Sequence, residues 1–241
     1  MLDDLNQYPK PRVMVDIAIF TVADQALKVL LIQRGIPPFQ GQWALPGGAL
    51  RIESDTSLEA AALRELVEET GVNNLYLEQL GSYGSPERDP REWTVSIAYF
   101  ALVSAHEVEL HAGTDATAAQ WFPVLGDKVN LPLAFDHAVI LSDATKRLRA
   151  KLDYSDIAVH LLPKEFTLSE LQRVYELIMQ EKLNKSSFRQ RVDKAQLVQP
   201  IPNKMRTGSN RPAQLYQFVP CEQDRIFFPR SLAWAQKGNE K

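Results

Sequence analysis

The segment RELVEETGV (residues 64–72) decides the fold that we predict for the first half of this 241-residue chain. Its glutamates Glu65, Glu68 and Glu69 have the i, i+3 and i+4 spacing of one helical face. Like charges placed in this way repel, at roughly a few tenths of a kcal/mol per pair, unless a cation compensates them. Because Mg²⁺ takes oxygen ligands and bridges carboxylates to phosphates, the pattern predicts metal ligands at these positions, with a solvated acidic face as the alternative.

The residues before this segment predict a capped helix that follows a long loop. Thr56 and Glu59 have the spacing of a capping box, and Gly71 is placed to end the helix. Residues 35–55 are rich in glycine and proline, so we expect a functional loop there. Within it, Gly48 would let backbone N–H groups approach an anion.

Strand-like segments surround the predicted loop and helix. They lie at residues 13–22, 28–34, 75–83, 94–105 and 118–124. Residues 131–152 have the apolar spacing of a helix and close the domain, which we assign to residues 1–155. Mixed strands around a central loop and helix predict an α+β fold with a layered αβα arrangement.

The charge distribution separates the chain into two parts. Residues 1–161 carry 13 Lys and Arg against 22 Asp and Glu, a net charge of −9, whereas residues 162–241 carry 14 against 8, a net charge of +6. A basic C-terminal third on an acidic body favours an anionic partner for that third, and nucleic acid is the first candidate. A solvated basic surface is the alternative.

The basic third has the pattern of a winged helix-turn-helix domain. Thr167 and Glu170 have capping-box spacing and open an amphipathic helix. A second helix, over residues 185–195, has a polar and basic face. Two strand-like runs, 195–201 and 213–219, flank a basic connector, as the strands of a wing would.

The second helix and the wing of this domain, assigned to residues 156–241, supply the predicted contacts to double-stranded DNA. Clustered Lys and Arg favour phosphates, while Arg and Gln can read base edges in the major groove. The predicted contacts are Ser186, Ser187, Arg189, Gln190, Arg191 and Lys194 on the helix and Lys204, Arg206 and Arg211 on the wing. A winged helix used for dimerisation or for protein binding is the alternative.

The glutamate segment resembles the second half of the box of the Nudix family, and residues 64–72 match every fixed position of Arg-Glu-apolar-x-Glu-Glu-x-Gly-apolar. In that family the glutamates bind Mg²⁺ at a nucleoside diphosphate linked to another moiety, and water attacks the diphosphate. The resemblance implies that Glu65, Glu68 and Glu69 hold the metal and that Gly48 lies at the diphosphate.

The first half of the box departs from the family pattern. Gly48 precedes Arg64 by two residues more than the box allows, so counting back from Arg64 places Leu50 at the glycine and Thr56 at the first glutamate. We therefore expect a domain that binds a diphosphate and has no catalytic residues. If the domain were active, the catalytic residues would be Glu65, Glu68 and Glu69.

Other segments are similar to the ADP-ribose branch of the Nudix superfamily. Arg88 and Arg91 lie in a proline-stiffened run whose guanidinium groups match phosphates, with a solvated surface turn as the alternative. Arg64 is expected to orient a glutamate or to meet a phosphate oxygen. His137 lacks His or Cys companions and is expected to be a hydrogen-bonded structural residue. The predicted ligand-binding residues are Arg34, Gly48, Arg64, Arg88 and Arg91.

A Nudix-like domain followed by a winged helix that contains FTLSELQ and SFRQRV resembles the Nudix-related transcriptional regulators of NAD metabolism over nearly the whole chain. The resemblance implies a homodimeric repressor of NAD biosynthesis or salvage genes that binds a palindromic operator and responds to ADP-ribose. The alternatives are a Mg²⁺-dependent ADP-ribose pyrophosphatase with an accessory winged helix and a metabolic enzyme with a protein-docking tail.

Composition gives an expectation for where the protein acts. The N-terminus is acidic and lacks an apolar segment, and no run approaches the roughly 18 apolar residues of a membrane span. Cys221 is the single cysteine, which fits a reducing compartment. We expect a cytoplasmic protein with no membrane segment.

Overall fold

The computed structural model describes residues 10–71, 75–106, 108, 116–152, 154–207 and 212–219. The chain divides into two compact units. One unit contains Met1–Ile19, Val29–Ala101 and Glu109–Ala144, and the other contains Phe20–Lys28, Leu102–Val108 and Thr145–Lys241. The domain boundary expected between residues 155 and 156 stays a prediction.

Runs of two to four strands are separated by helices along the chain, which confirms the predicted α+β fold class. The strands are β1 (Arg12–Ala23), β2 (Ala26–Arg34), β3 (Trp43–Ala44), β4 (Gly47–Ala49), β5 (Tyr76–Tyr83), β6 (Thr94–Leu102), β7 (Ala116–Pro123), β8 (Val198–Arg206) and β9 (Ala213–Phe218). The helices are α1 (Leu58–Thr70), α2 (His137–Leu152), α3 (Leu168–Met179) and α4 (Lys185–Ala195), with a short 3₁₀ helix at Ile157–Leu161.

Strand β1 is the centre of the main sheet. The sheet has the order β3-β2-β1-β6-β5, with β4 paired to β1 and β7 paired to β2. Residues 15–21 of β1 are buried without interruption, which explains their almost continuous β-branched and apolar sequence. Asp16 is the one acidic residue in this buried stretch.

Part of the predicted loop at residues 35–55 forms strands, so the prediction of a continuous loop is wrong. In β4, Gly47 pairs with Asp16 and Gly48 with Val15. A Cβ at position 47 would lie 2.2 Å from the Val15 carbonyl oxygen, so glycine permits this close approach of two backbones. Strands of two or three residues leave too short a pattern for periodicity to detect.

Helix α1 ends as predicted but begins one residue later. Its N-cap is Ser57, whose hydroxyl accepts the Ala60 N–H at 3.0 Å, so the predicted cap at Thr56 is wrong. Gly71 ends the helix in the left-handed conformation, with its N–H donating to the Val67 carbonyl. Since neighbouring Thr and Ser residues can both cap, sequence spacing alone does not choose between them.

Helix α2 begins at His137 and not near residue 131 as expected. Phe135, two residues earlier, has the left-handed backbone angle φ = 53°. A helix cannot pass through that conformation, so the apolar residues before it belong to a turn.

The winged helix pattern is confirmed in the second unit. The capping box of Thr167 and Glu170 is complete, and Leu171, Val174, Tyr175 and Ile178 form the buried face of α3. Strands β8 and β9 pair in antiparallel fashion, and a bridge between Phe166 and Tyr216 extends this small sheet. Among the helices of the described residues, none has the length and apolar character that a membrane crossing requires.

Substitution tests the position of the first cap. We expect Ser57→Ala to lower the free energy of unfolding by about 1 kcal/mol because the Ala60 N–H loses its acceptor. Thr56→Ala is the matched control and should change stability little. Urea unfolding of both variants measures the difference, and a larger loss for Thr56→Ala would contradict the assignment.

Candidate functional site

A pocket in the first unit lies beside β4 and the beginning of α2. Three predicted ligand-binding residues, Arg34, Arg88 and Arg91, are among its lining residues. Gly47 and Phe135 also line it. The structure therefore brings these arginines together from β2 and from the loop before β6.

Arg88 is a buried lining residue of the pocket, so the alternative of a solvated surface turn is wrong for this residue. Its guanidinium makes a fork to Asp136, with Nε 2.9 Å from Oδ2 and Nη2 2.8 Å from Oδ1. The same group donates to Asp16 Oδ2 at 3.1 Å and to Thr94 Oγ1 at 3.1 Å. Because its donors are directed into the protein, Arg88 is better suited to fix the pocket than to bind a phosphate.

His137 is a buried structural residue, as predicted. Its Nδ1 accepts the Leu45 N–H at 2.9 Å, so the ring proton of a neutral imidazole belongs on Nε2. Nε2 lies 3.4 Å from Asp16 Oδ1. The histidine therefore joins the β3–β4 segment to β1.

Asp16 is kept ionised by its neighbours. Burial by itself raises the pKa of this carboxyl, but His137, the Ser96 hydroxyl and the Arg88 charge outweigh burial and lower the pKa to about 2. Ser96 donates to Asp16 Oδ2 at 2.6 Å. The charged form of Asp16 is thus part of the folded structure.

The half-buried Arg34, the exposed Arg91 and the Phe135 ring form another side of the pocket. The Arg34 guanidinium carbon lies 4.8 Å from the centre of the Phe135 ring, and that of Arg91 lies 5.9 Å away. Phe39 packs against Phe135 edge to face at 4.8 Å. Both phenylalanines have left-handed backbone angles, which bulky residues adopt at an energetic cost and which are concentrated at ligand sites.

Arginines compensate the acidic face of α1. Arg64 Nη1 donates to Glu65 Oε1 at 2.5 Å, which confirms that Arg64 orients a glutamate. Arg51 Nη1 lies 3.1 Å from Glu68 Oε1. Burial raises the pKa of Glu65, and the adjacent Arg64 opposes this effect. Arg64 and Arg51 therefore offset part of the repulsion between Glu65 and Glu68.

The residues around α1 do not form a metal-binding cluster. Asp55 accepts two hydrogen bonds from Arg64, from Nε and from Nη2, each at 3.0 Å. These bonds, with one from the Arg51 backbone, lower the pKa of Asp55 to about 2. Within the described ranges, no three Asp, Glu, His or Cys side chains are arranged to hold a metal ion. The assignment of Glu65, Glu68 and Glu69 as Mg²⁺ ligands stays a prediction.

Strand β4 connects the pocket with α1. Gly47 lines the pocket, while a Cβ on Gly48 would lie 2.3 Å from Glu65 Oε1. Gly48 therefore allows the buried Glu65 carboxylate to lie against the strand. A ligand bound along β4 would be close to both the arginine-lined pocket and the acidic helix.

The predicted DNA-binding helix presents its polar side chains to solvent. Phe188 and Val192 are buried, and Asn184 caps the helix by accepting the Ser187 N–H at 3.0 Å. The exposed residues of this helix include all six predicted contacts, Ser186, Ser187, Arg189, Gln190, Arg191 and Lys194.

The wing differs from the expected basic tip. Lys204 and Arg206 lie in β8, whereas we expected them in the connector, because the strand continues past an irregularity that interrupts its sequence pattern. Lys204 pairs with Glu165, and Arg206 pairs with Glu170. Arg211 lies outside the described residues.

Sequence reasoning missed Asp16, Asp136 and Phe135. Asp16 carried a signal, since an acidic residue in an otherwise buried strand requires a partner. No such sequence signal marked Asp136 and Phe135, because their roles depend on a turn that brings distant segments together.

The Asp16 network predicts an acid-sensitive fold. The pKa of Asp16 is lowered from 3.8 to about 2, so its contribution, roughly 2 kcal/mol, is present above about pH 4 and is lost as pH falls toward 2. Asp16→Asn should lower stability by about 2–4 kcal/mol at pH 7 and weaken this acid dependence. Urea unfolding between pH 7 and pH 2 measures both effects.

The exposed Asp24→Asn substitution is the control for the loss of one carboxylate. An Asp16→Asn protein as stable as Asp24→Asn at pH 7 would contradict a structural role for the network.

Comparison with known proteins supports both domains. The NUDIX domain model matches residues 10–142, and the model of the NrtR DNA-binding winged helix domain matches residues 158–218. The ADPR responsive transcriptional repressor NtrR of Acinetobacter baylyi is 40% identical over 231 residues, which cover 95% of this chain and 90% of the relative.

Solved structures give the same result. Shewanella oneidensis NrtR complexed with a 27mer DNA is 41% identical, has a TM-score of 0.78 and is matched over 86% of this chain and 93% of that chain. The NUDIX domain of the same protein, complexed with ADP ribose, is 40% identical with a TM-score of 0.55, over 61% of this chain and 94% of that chain.

A relative of the first domain alone is the ADP-ribose pyrophosphatase of Methanocaldococcus jannaschii, which is 42% identical over 137 residues, or 56% of this chain and 74% of the relative. The similarity to the Acinetobacter and Shewanella proteins extends across both domains. The chain therefore belongs to the NrtR family, with a NUDIX domain followed by a winged helix DNA-binding domain.

Proposed function

We propose that this chain is an ADP-ribose-responsive transcriptional repressor whose NUDIX domain senses the ligand and whose winged helix binds the operator. The observation that carries the proposal is the similarity to the Acinetobacter repressor along 95% of the chain. The Shewanella relative has been crystallised with DNA, and its NUDIX domain with ADP ribose.

The pocket supports the proposed ligand. ADP-ribose combines a diphosphate with a base and two riboses, so it needs cationic, apolar and hydrogen-bonding surfaces together. Arg34 and Arg91 beside the Phe135 ring supply the first two kinds of surface. We propose that Gly48 and Arg64 contact the part of the ligand that lies nearest to α1. We propose that Arg88 fixes the shape of the pocket.

Helix α4 supports the proposed DNA contact. Its exposed Arg189 and Gln190 suit base edges, and the serines at its N-terminus suit a phosphate. A homodimer would present two such helices to a palindromic operator.

Repression and release require that ADP-ribose distinguishes two states of the protein. The ligand must bind more tightly to a state whose recognition helices no longer match the operator, since equal affinity for both states would shift nothing. We propose genes of NAD biosynthesis or salvage as the targets, and the cytoplasm as the place of action.

The second candidate function is ADP-ribose hydrolysis, which the similarity to the Methanocaldococcus pyrophosphatase favours. The catalytic residues would then be Glu65, Glu68 and Glu69, and Mg²⁺ stays a prediction for this activity. The arginine pairing of Glu65 and Glu68 supports sensing over hydrolysis. Incubation with ADP-ribose and MgCl₂ separates the two functions, because only the hydrolase forms AMP at an enzymatic rate.

A mobility-shift titration tests the proposal directly. The probe is a duplex from the promoter next to the protein's own gene, titrated with and without ADP-ribose. The proposal expects a shifted band that ADP-ribose removes. A band that persists at every ADP-ribose concentration would refute the sensor.

Substitution in α4 tests the division of labour between the domains. Arg189→Ala and Gln190→Ala should each weaken operator binding about fivefold or more, because a good base contact contributes about 1–3 kcal/mol. ADP-ribose affinity, measured by calorimetry, should stay at the wild-type value. Equal loss of both affinities would contradict separate binding sites.

A further inference from the structure

Two carboxylates hold the basic side chains of the wing. Lys204 Nζ lies 2.5 Å from Glu165 Oε1. Arg206 pairs with the Glu170 carboxylate through Nη1 and donates from Nη2 to the Glu165 carbonyl oxygen at 3.1 Å. We call these four residues, Glu165, Glu170, Lys204 and Arg206, the wing latch.

A bulge in β8 directs Lys204 toward this contact. Pairing with β9 shifts between Pro200, which faces Tyr216, and Met205, which faces Gln214. The Gln214 amide closes the bulge by donating to the carbonyl oxygens of Ile201 at 2.8 Å and Lys204 at 3.1 Å. Because the Gln214 side chain bridges the bulge, the shape of the bulge is fixed by the fold.

The fold also orients the Glu170 carboxylate. Its Oε2 accepts the Thr167 N–H at 2.7 Å within the capping box of α3. Its other oxygen, Oε1, pairs with Arg206. Glu170 is therefore fixed in position before Arg206 reaches it, which lowers the entropic cost of the ion pair.

We propose that Glu165 and Glu170 set the affinity of the wing for DNA, because they occupy two cations that duplex phosphates would otherwise bind. This inference rests on the proposed DNA-binding function. DNA phosphates and these carboxylates compete for the same Lys204 and Arg206 donors. The carboxylates also repel a nearby phosphate backbone. Both effects therefore weaken the binding of the wing to DNA.

The exposure of the latch determines the size of the effect. All four side chains are between 39% and 50% exposed, so solvent screens both ion pairs and a phosphate can displace the carboxylates. Each pair should then lower duplex affinity about two- to fivefold. Each freed cation should also steepen the dependence of log K on log salt by about 0.9.

Charge-neutral variants test the latch in the full-length protein. Fluorescence anisotropy with a labelled random-sequence duplex, over a salt series, compares Glu165→Gln and Glu170→Gln with the wild type. Each variant should bind about two- to fivefold more tightly, with the steeper salt dependence. Glutamine at 170 keeps an oxygen for the Thr167 N–H, and thermal melting checks that the cap survives.

Asp24→Asn is the matched control. Asp24 pairs with Lys28 at 2.5 Å outside the winged helix segment, so its neutralisation releases a lysine and adds the same charge. Its backbone has φ = 48°, which asparagine tolerates. This variant should keep wild-type duplex affinity, and an increase equal to that of Glu165→Gln would overturn the latch.

A double substitution shows whether Glu165 acts through Lys204. In a Lys204→Gln background, Glu165→Gln should have a clearly smaller effect than in the wild type, and an undiminished gain would overturn the inference. Unchanged or weaker duplex binding by both single variants would overturn it as well. Failure of the wild type itself to bind any duplex would instead refute the proposed DNA-binding function.

Discussion

The buried guanidinium of Arg88 determines the geometry of the ligand pocket. It links Asp16 in the central strand to Asp136 at the start of α2 and to Thr94 at the start of β6. A buried ion pair is a weak source of net stability because desolvation opposes it, but the loss of one partner leaves an uncompensated charge. The network therefore holds the pocket in one arrangement. His137 attaches the β3–β4 segment to this network by accepting the Leu45 N–H.

Arginines pair with the acidic helix of a fold that is associated with diphosphate chemistry. Arg64 and Arg51 neutralise the glutamate face, and Asp55 holds Arg64 from the lengthened loop. That loop is the part of the segment that departs from the Nudix box. The departure and the arginine pairing are connected, because Asp55 lies in the lengthened loop and accepts two hydrogen bonds from Arg64.

Most features encoded by local patterns could be predicted from the sequence, although Ser57 and not Thr56 caps α1, and features made by distant residues could not. The β-branched run of β1 and the capping box at Thr167 each depend on neighbours within a few positions, and both are confirmed. The acidic partners of Arg88 lie 48 and 72 residues away, and no local pattern encodes them. The wing latch could not be predicted from the sequence for the same reason, because Lys204 pairs with Glu165, which lies 39 residues earlier in the chain.

The left-handed conformation of Phe135 has a consequence for the start of α2. Its ring lines the pocket, and its backbone is the last unusual geometry before α2 begins at His137. A bound ligand that displaced the ring would change the backbone angle of Phe135, which lies in an energetically unfavourable region. A relaxed angle at this residue would change where α2 can begin. Phe135 therefore connects one wall of the pocket to the start of α2 through its own backbone.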